Sequence, residues 1–90
     1  MAFYRLNPNV IIKPMGEAEI MVYDSTNGKV HVLNETAGFL LNELSAARDA
    51  KTLCSRASAT YGVNLGENDL NDILRQFLSL GLIVEEPANG

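Results

Sequence analysis

Lys29-Val30-His31-Val32-Leu33-Asn34-Glu35-Thr36-Ala37-Gly38-Phe39-Leu40-Leu41-Asn42-Glu43-Leu44 contains a change of period. In its first five residues Val30 and Val32 share one face and Lys29, His31 and Leu33 the other, the alternation of a β-strand. From Glu35 onward Ala37, Leu40, Leu41 and Leu44 recur at i, i+3, i+4 and i+7, the apolar stripe of an amphipathic helix. Asn34 stands between the two patterns as a helix N-cap, its side-chain carbonyl able to accept an orphan N–H of the first turn. Glu35 places a negative charge at the positive end of the helix dipole. Sheet is expected before this joint and helix after it.

Upstream, Val10-Ile11-Ile12-Lys13 is a short β-branched run that ends at Pro14 and Gly16 and reads as a first strand. Ala18 to Asp24 alternates, with Ile20 and Val22 on one face and Met21 and Tyr23 on the other, and reads as a second. Asp24-Ser25-Thr26-Asn27-Gly28 follows, and Asn-Gly between alternating runs is a hairpin signal because both residues tolerate positive φ. Lys29 to Leu33 is then the third strand of an antiparallel meander. Phe3 to Pro8 mixes aromatic, charged and turn residues, with a turn expected at Asn7-Pro8.

Downstream, the first helix is expected to fade near Ala46-Ala47-Arg48-Asp49. A second runs from about Ala50 to Tyr61, with Leu53, Cys54, Ala57 and Tyr61 on one face and Gly62 as a left-handed C-terminal cap. Val63-Asn64-Leu65-Gly66 is a connector. A third helix begins at Glu67 or Asn68 and ends at Leu80, striped by Leu70, Ile73, Leu74, Phe77 and Leu80 and capped by Gly81. Leu82-Ile83-Val84 is expected to pack back as an apolar tail, and Glu85 to Gly90 to fray. The expected class is α+β: an N-terminal three-stranded antiparallel sheet followed by three helices, in one domain over residues 1–90 with its core at about 9–84. Two short helices and a third at a Gly-containing turn also resemble a winged helix-turn-helix, with the hairpin as the wing.

Ninety residues with 47% hydrophobic and 20% charged composition suit one small globular domain. At this size a chain buries only about 60–65% of its unfolded surface, so the core is small. The net charge of −4 opposes nucleic-acid binding, which requires a basic face. The single cysteine excludes an intramolecular disulfide. No signal-peptide core and no apolar run of about 20 residues is present, so a cytoplasmic location without membrane contact is expected.

No catalytic constellation is legible. His31 is the one histidine, so Ser25, Ser45, Ser55 and Ser58 lack a base partner. It has no second metal ligand beside it and is expected to be an exposed strand residue. Cys54 is expected to be a small buried hydrophobe. Glu17 and Glu19 are expected to be solvated surface, and the glycines form no phosphate loop. The chain is expected to be no enzyme and to hold no cofactor or metal.

The ordered combination Val32-Leu33-Asn34-Glu35-Thr36-Ala37, Leu40, Leu41 and Leu44, then Leu53, Ala57 and Tyr61-Gly62, then Asp69-Leu70, Phe77-Leu78 and Leu80-Gly81-Leu82-Ile83 resembles PqqD-like proteins. It covers about Asn9 to Val84. It departs from the PqqD of the quinone-cofactor pathway, which resembles an Asp-Gly turn between the first two helices where this chain has Ser45-Ala46-Ala47-Arg48-Asp49-Ala50-Lys51-Thr52-Leu53. The resemblance implies a recognition element for ribosomally made, post-translationally modified peptides (RiPPs): a peptide chaperone of natural-product biosynthesis that binds a precursor's leader. The leader adds as a strand to the third strand, in a groove closed by the third helix, and is presented to a modifying enzyme, expected to be a radical-SAM protein. Carried over, this makes Lys29, Val30, His31, Val32 and Leu33 the docking edge and Leu70, Ile73, Leu74 and Phe77 the helix wall, some of which must serve the core instead. Lys29 and Arg75 are candidates for meeting acidic leader residues. The alternatives are a winged-helix nucleic-acid-binding or transcription-related protein, and a module that pairs its strand edge with a second copy. A monomer or weak homodimer is expected.

Overall fold

In the computed structural model, which describes residues 2–16, 18–62 and 64–87, the chain forms two antiparallel sheets and three helices. The meander expected from the sequence is present as β2 (Val10–Pro14), β3 (Glu19–Asp24) and β4 (Lys29–Asn34), paired in that order. β3 and β4 are joined by the four residues Ser25 to Gly28. Gly28 adopts φ +72°, while Asn27 keeps a negative φ, so only one residue of the Asn-Gly pair uses the left-handed region. The turn is closed by Gly28 N–H donating to the Asp24 carbonyl at 2.8 Å. The Asp24 carboxylate accepts from Thr26 N–H and the Asn27 side chain from Lys29 N–H, both at 2.9 Å.

Two strands were not expected. β1 (Ala2–Leu6) pairs with β5 (Ile83–Pro87) in a separate two-stranded sheet, with Ala2 opposite Pro87 and Leu6 opposite Ile83. The segment read as a turn-rich lead-in is therefore a strand, and Glu85 and Glu86 are paired rather than frayed. Asn7 fixes the exit from β1: its backbone N–H donates to the Leu82 carbonyl and its side-chain amide to the Gly81 carbonyl, both at 3.0 Å. Glu17, Val63 and residues 88–90, which also carried expectations, lie outside the described residues.

The helices are α1 (Glu35–Glu43), α2 (Ala50–Tyr61) and α3 (Glu67–Ser79). Asn34 caps α1 as expected, its side chain accepting from Ala37 N–H at 2.9 Å. Asp49 caps α2 through Thr52 N–H at 2.7 Å, and hydrogen bonding from Thr52, by its side chain first and its backbone second, holds the Asp49 carboxyl below the ordinary range. Gly62, at φ +67°, terminates α2. α1 stops about one turn earlier than its pattern implied. Past Glu43 the backbone is claimed by β1: Leu6 N–H donates to the Leu44 carbonyl at 2.7 Å, and Tyr4 and Arg48 exchange bonds of 2.8 and 3.0 Å. The Arg48 guanidinium also takes the Glu43 carbonyl at 2.8 Å.

One core joins the layers. Val10 and Val22 from the sheet meet Leu40 and Leu41 of α1 and Leu44 at its C-cap, Leu53 and Ala57 of α2, Leu70, Leu74 and Phe77 of α3, and Leu82 and Ile83 beyond it. Burying each leucine stabilises the fold by about 1.5–3 kcal/mol. Gly38 lets α1 lie against β3, since a Cβ there would overlap the Ile20 side chain.

Candidate functional site

Among the described residues β4 pairs only with β3, so its other edge carries backbone N–H and C=O groups without a strand partner. Such an edge is a template for an added strand. The opposite edge strand, β2, ends in Pro14, which has no N–H to offer. Beside β4 lies a groove of about 320 Å³ lined by Val32, Leu33 and Asn34, by Thr36 and Ala37, and by Ile73, Gln76, Phe77 and Leu80. Strand, first turn of α1 and C-terminal half of α3 thus form its three sides. Because β4 runs into α1 through the Asn34 cap with no loop between, the strand edge and the first turn of α1 hold a fixed relation.

None of these lining residues is ionisable. The groove offers an apolar floor with neutral polar groups from Asn34, Thr36 and Gln76, chemistry suited to an uncharged apolar anchor.

Of the residues expected at the site, Val32, Leu33, Ile73 and Phe77 line this groove together. Val30 lies on the same strand with its side chain on the outer sheet face, 52% exposed. Lys29 is exposed at the hairpin end of β4. His31 sits on the inner face opposite Val22 and is half-buried rather than exposed, with Nε2 enclosed and without a hydrogen-bond partner among the described residues. Leu70 and Leu74 are 0% and 1% exposed and hold α3 to the core. Arg75 lies on another face of α3, beside Tyr4 and Glu85, with its guanidinium 3.4 Å from the Asp72 carboxylate.

Sequence reasoning omitted Asn34, Thr36, Ala37, Gln76 and Leu80. Leu80 had a signal: Ile73, Phe77 and Leu80 follow i, i+4, i+7 along one line of α3, flanking the buried line of Leu70 and Leu74. Cys54 is half-buried, not fully, and burial pushes its thiol up. A larger hollow of about 380 Å³ is lined by Lys51, Thr52, Ser55, Arg56, Ala59 and Thr60, all from α2, and is the open face of one helix.

The architecture has counterparts among solved structures. "TbiB1 in Complex with the TbiA(beta) Leader Peptide" superposes with a TM-score of 0.73 at 16% identity, covering 94% of this chain and 99% of that one. "Lasso peptide synthetase B1 complexed with the leader peptide" gives 0.67 at 15% identity, covering 90% and 96%. "Structure of the heterocyclase TruD" gives 0.69 at 11% identity, covering all of this chain but 12% of that much longer one. No curated protein matches the sequence. The family described as Coenzyme PQQ synthesis protein D (PqqD) matches residues 19–83. That span runs from the start of β3 to the start of β5 and holds both walls of the groove, and by it the chain belongs to the PqqD family.

Proposed function

We propose that this chain is a non-catalytic binding domain that captures the leader segment of a ribosomally made precursor peptide and presents it to a modifying enzyme. The observation that carries this is the pairing of an unpartnered β4 edge with an apolar groove walled by α3. Backbone pairing along Lys29 to Asn34 supplies affinity, and one or two apolar leader side chains in the groove supply specificity. The two solved proteins of like fold that are complexed with leader peptides support this reading. The family resemblance favours a radical-SAM enzyme as the recipient.

Nucleic-acid binding is disfavoured because α3 carries Glu67, Asp69 and Asp72 against Arg75, which would repel phosphates at a major groove.

The test is an amide-shift titration of the labelled chain with the leader of a precursor encoded beside it. Shifts are expected on Lys29–Asn34 and Ile73–Leu80. Shifts that avoid both segments would overturn the site.

A further inference from the structure

The outer face of the three-stranded sheet carries apolar side chains in cross-strand rows. The register places Ile11, Tyr23 and Val30 in one row and Lys13, Met21 and Val32 in the next. Val30 and Val32 are 52% and 53% exposed, more than Tyr23 at 36% in the adjacent strand. Clustered exposed apolar groups of this kind mark a surface that is covered in use. Both rows end at the open edge of β4, so they are unfinished where a further strand would pair.

A strand added there has alternating side chains. Those of one parity enter the groove beside Leu33, Ile73 and Phe77. Those of the other parity fall on the outer face, with Cβ atoms about 4.5–5.5 Å from their neighbours on β4. The outer neighbours are Val30 and Val32, which favour β-branched or aromatic partners over charged ones.

We infer that the domain reads its peptide on both faces, the outer face selecting β-branched or aromatic residues at the two positions beside Val30 and Val32. The occupant is thus an extended peptide segment with neighbouring apolar residues, one parity anchored in the groove and the next completing the outer rows. This rests on the leader-capture reading above and adds a second selectivity to it. Continuity decides between occupants: Val30 and Val32 belong to the edge strand itself, so whatever pairs with the edge must place side chains against them.

The experiment selects binders to the full chain from a display library of random 15-residue peptides, in parallel with the Val30→Thr variant, because Val32 also borders the groove. Threonine keeps the β-branch at an exposed position, so both proteins fold. Peptides enriched on the parent chain are expected to carry apolar or β-branched residues at neighbouring positions. On the variant that preference should weaken at the position beside residue 30 and persist at the groove positions. A binder from the first selection should lose about two- to fivefold in affinity for the variant.

Enriched peptides that are apolar at one parity alone, and bind both proteins within error, would overturn outer-face reading and leave leader capture standing. Selected peptides whose amide shifts avoid β4 would overturn both. Parent-chain dimerisation that the Val30→Thr variant abolishes, with peptide affinity unchanged, would assign the outer face to a second copy instead.

Discussion

Arg56 Nε donates a hydrogen bond to Glu43 Oε2 at 2.7 Å, fastening the exposed side of α2 to the last turn of α1. The same carboxylate oxygen lies 3.7 Å from Arg48 Nε, on the segment that pairs with β1. Glu43 therefore ties together α1, α2 and the segment that pairs with β1, and it does so with a side chain only 8% exposed.

The Arg56 hydrogen bond and the two guanidinium charges hold the Glu43 carboxyl below its ordinary value, against the opposing effect of burial. A carboxyl depressed in the folded state contributes stability that is complete above its unfolded pKa and is lost as the pH falls through the native one. Glu43→Gln should cost about 1–2 kcal/mol near neutral pH, the loss of charge-assisted bonds. The gap between the variant and the parent in urea unfolding should close as the pH is lowered through the carboxylate range.

Gly38→Ala tests the close approach of α1 to β3. Helix propensity alone favours alanine by about 1 kcal/mol. The overlap with Ile20 outweighs it, and overpacking of this kind costs about 1–3 kcal/mol. The variant should be less stable than the parent in chemical denaturation. In an Ile20→Ala background, which removes the γ and δ carbons but keeps a Cβ 3.1 Å from the added one, the cost of the same substitution should shrink toward zero.

Asn34→Ala removes the acceptor for Ala37 N–H and should lower stability by about 1 kcal/mol, while Asn34→Ser should restore most of it. Thermal unfolding of the three proteins gives the comparison.

Leu80→Glu places a charge at the open end of the groove, where the native side chain is 41% exposed. Leader affinity should fall about tenfold or more while the melting temperature stays at the parent value. Leu74→Ala should behave oppositely, unfolding the chain at lower denaturant by about 2–5 kcal/mol, because that side chain is 1% exposed in the core.

The elements legible in the sequence are those fixed by near neighbours. The β3–β4 hairpin follows from alternation on either side of a glycine turn, and α1 and α2 from side chains that cap their own first turns. β1 and β5 were illegible because their pairing spans nearly the whole chain. Ala-Phe-Tyr-Arg-Leu has no clean alternation, and Ile-Val-Glu-Glu-Pro ends in charge and proline, so neither marks itself as a strand. The early end of α1 has the same origin, since Tyr4 and Leu6 take backbone groups that no local pattern of Ser45 to Arg48 reserves. At the site the meander order that places β4 outermost was readable, and whether its edge lay open was not. The division of α3 into core and groove residues was not, because Leu74 and Phe77 belong to one helical stripe, and only the angle at which the helix meets the sheet separates them.

The pairing of β1 with β5 sets Ala2 opposite Pro87, so the fold is entered and left at one place. None of the residues of β1 or β5 lines the groove. A fold with adjacent ends behaves like a cassette: it can be spliced into a loop of a larger polypeptide, or cut out of one, with little strain on either side. Grafted in that way, the domain would bring its strand edge to a new host intact. The likeness to a stretch of the much longer TruD chain shows this architecture already housed inside another protein.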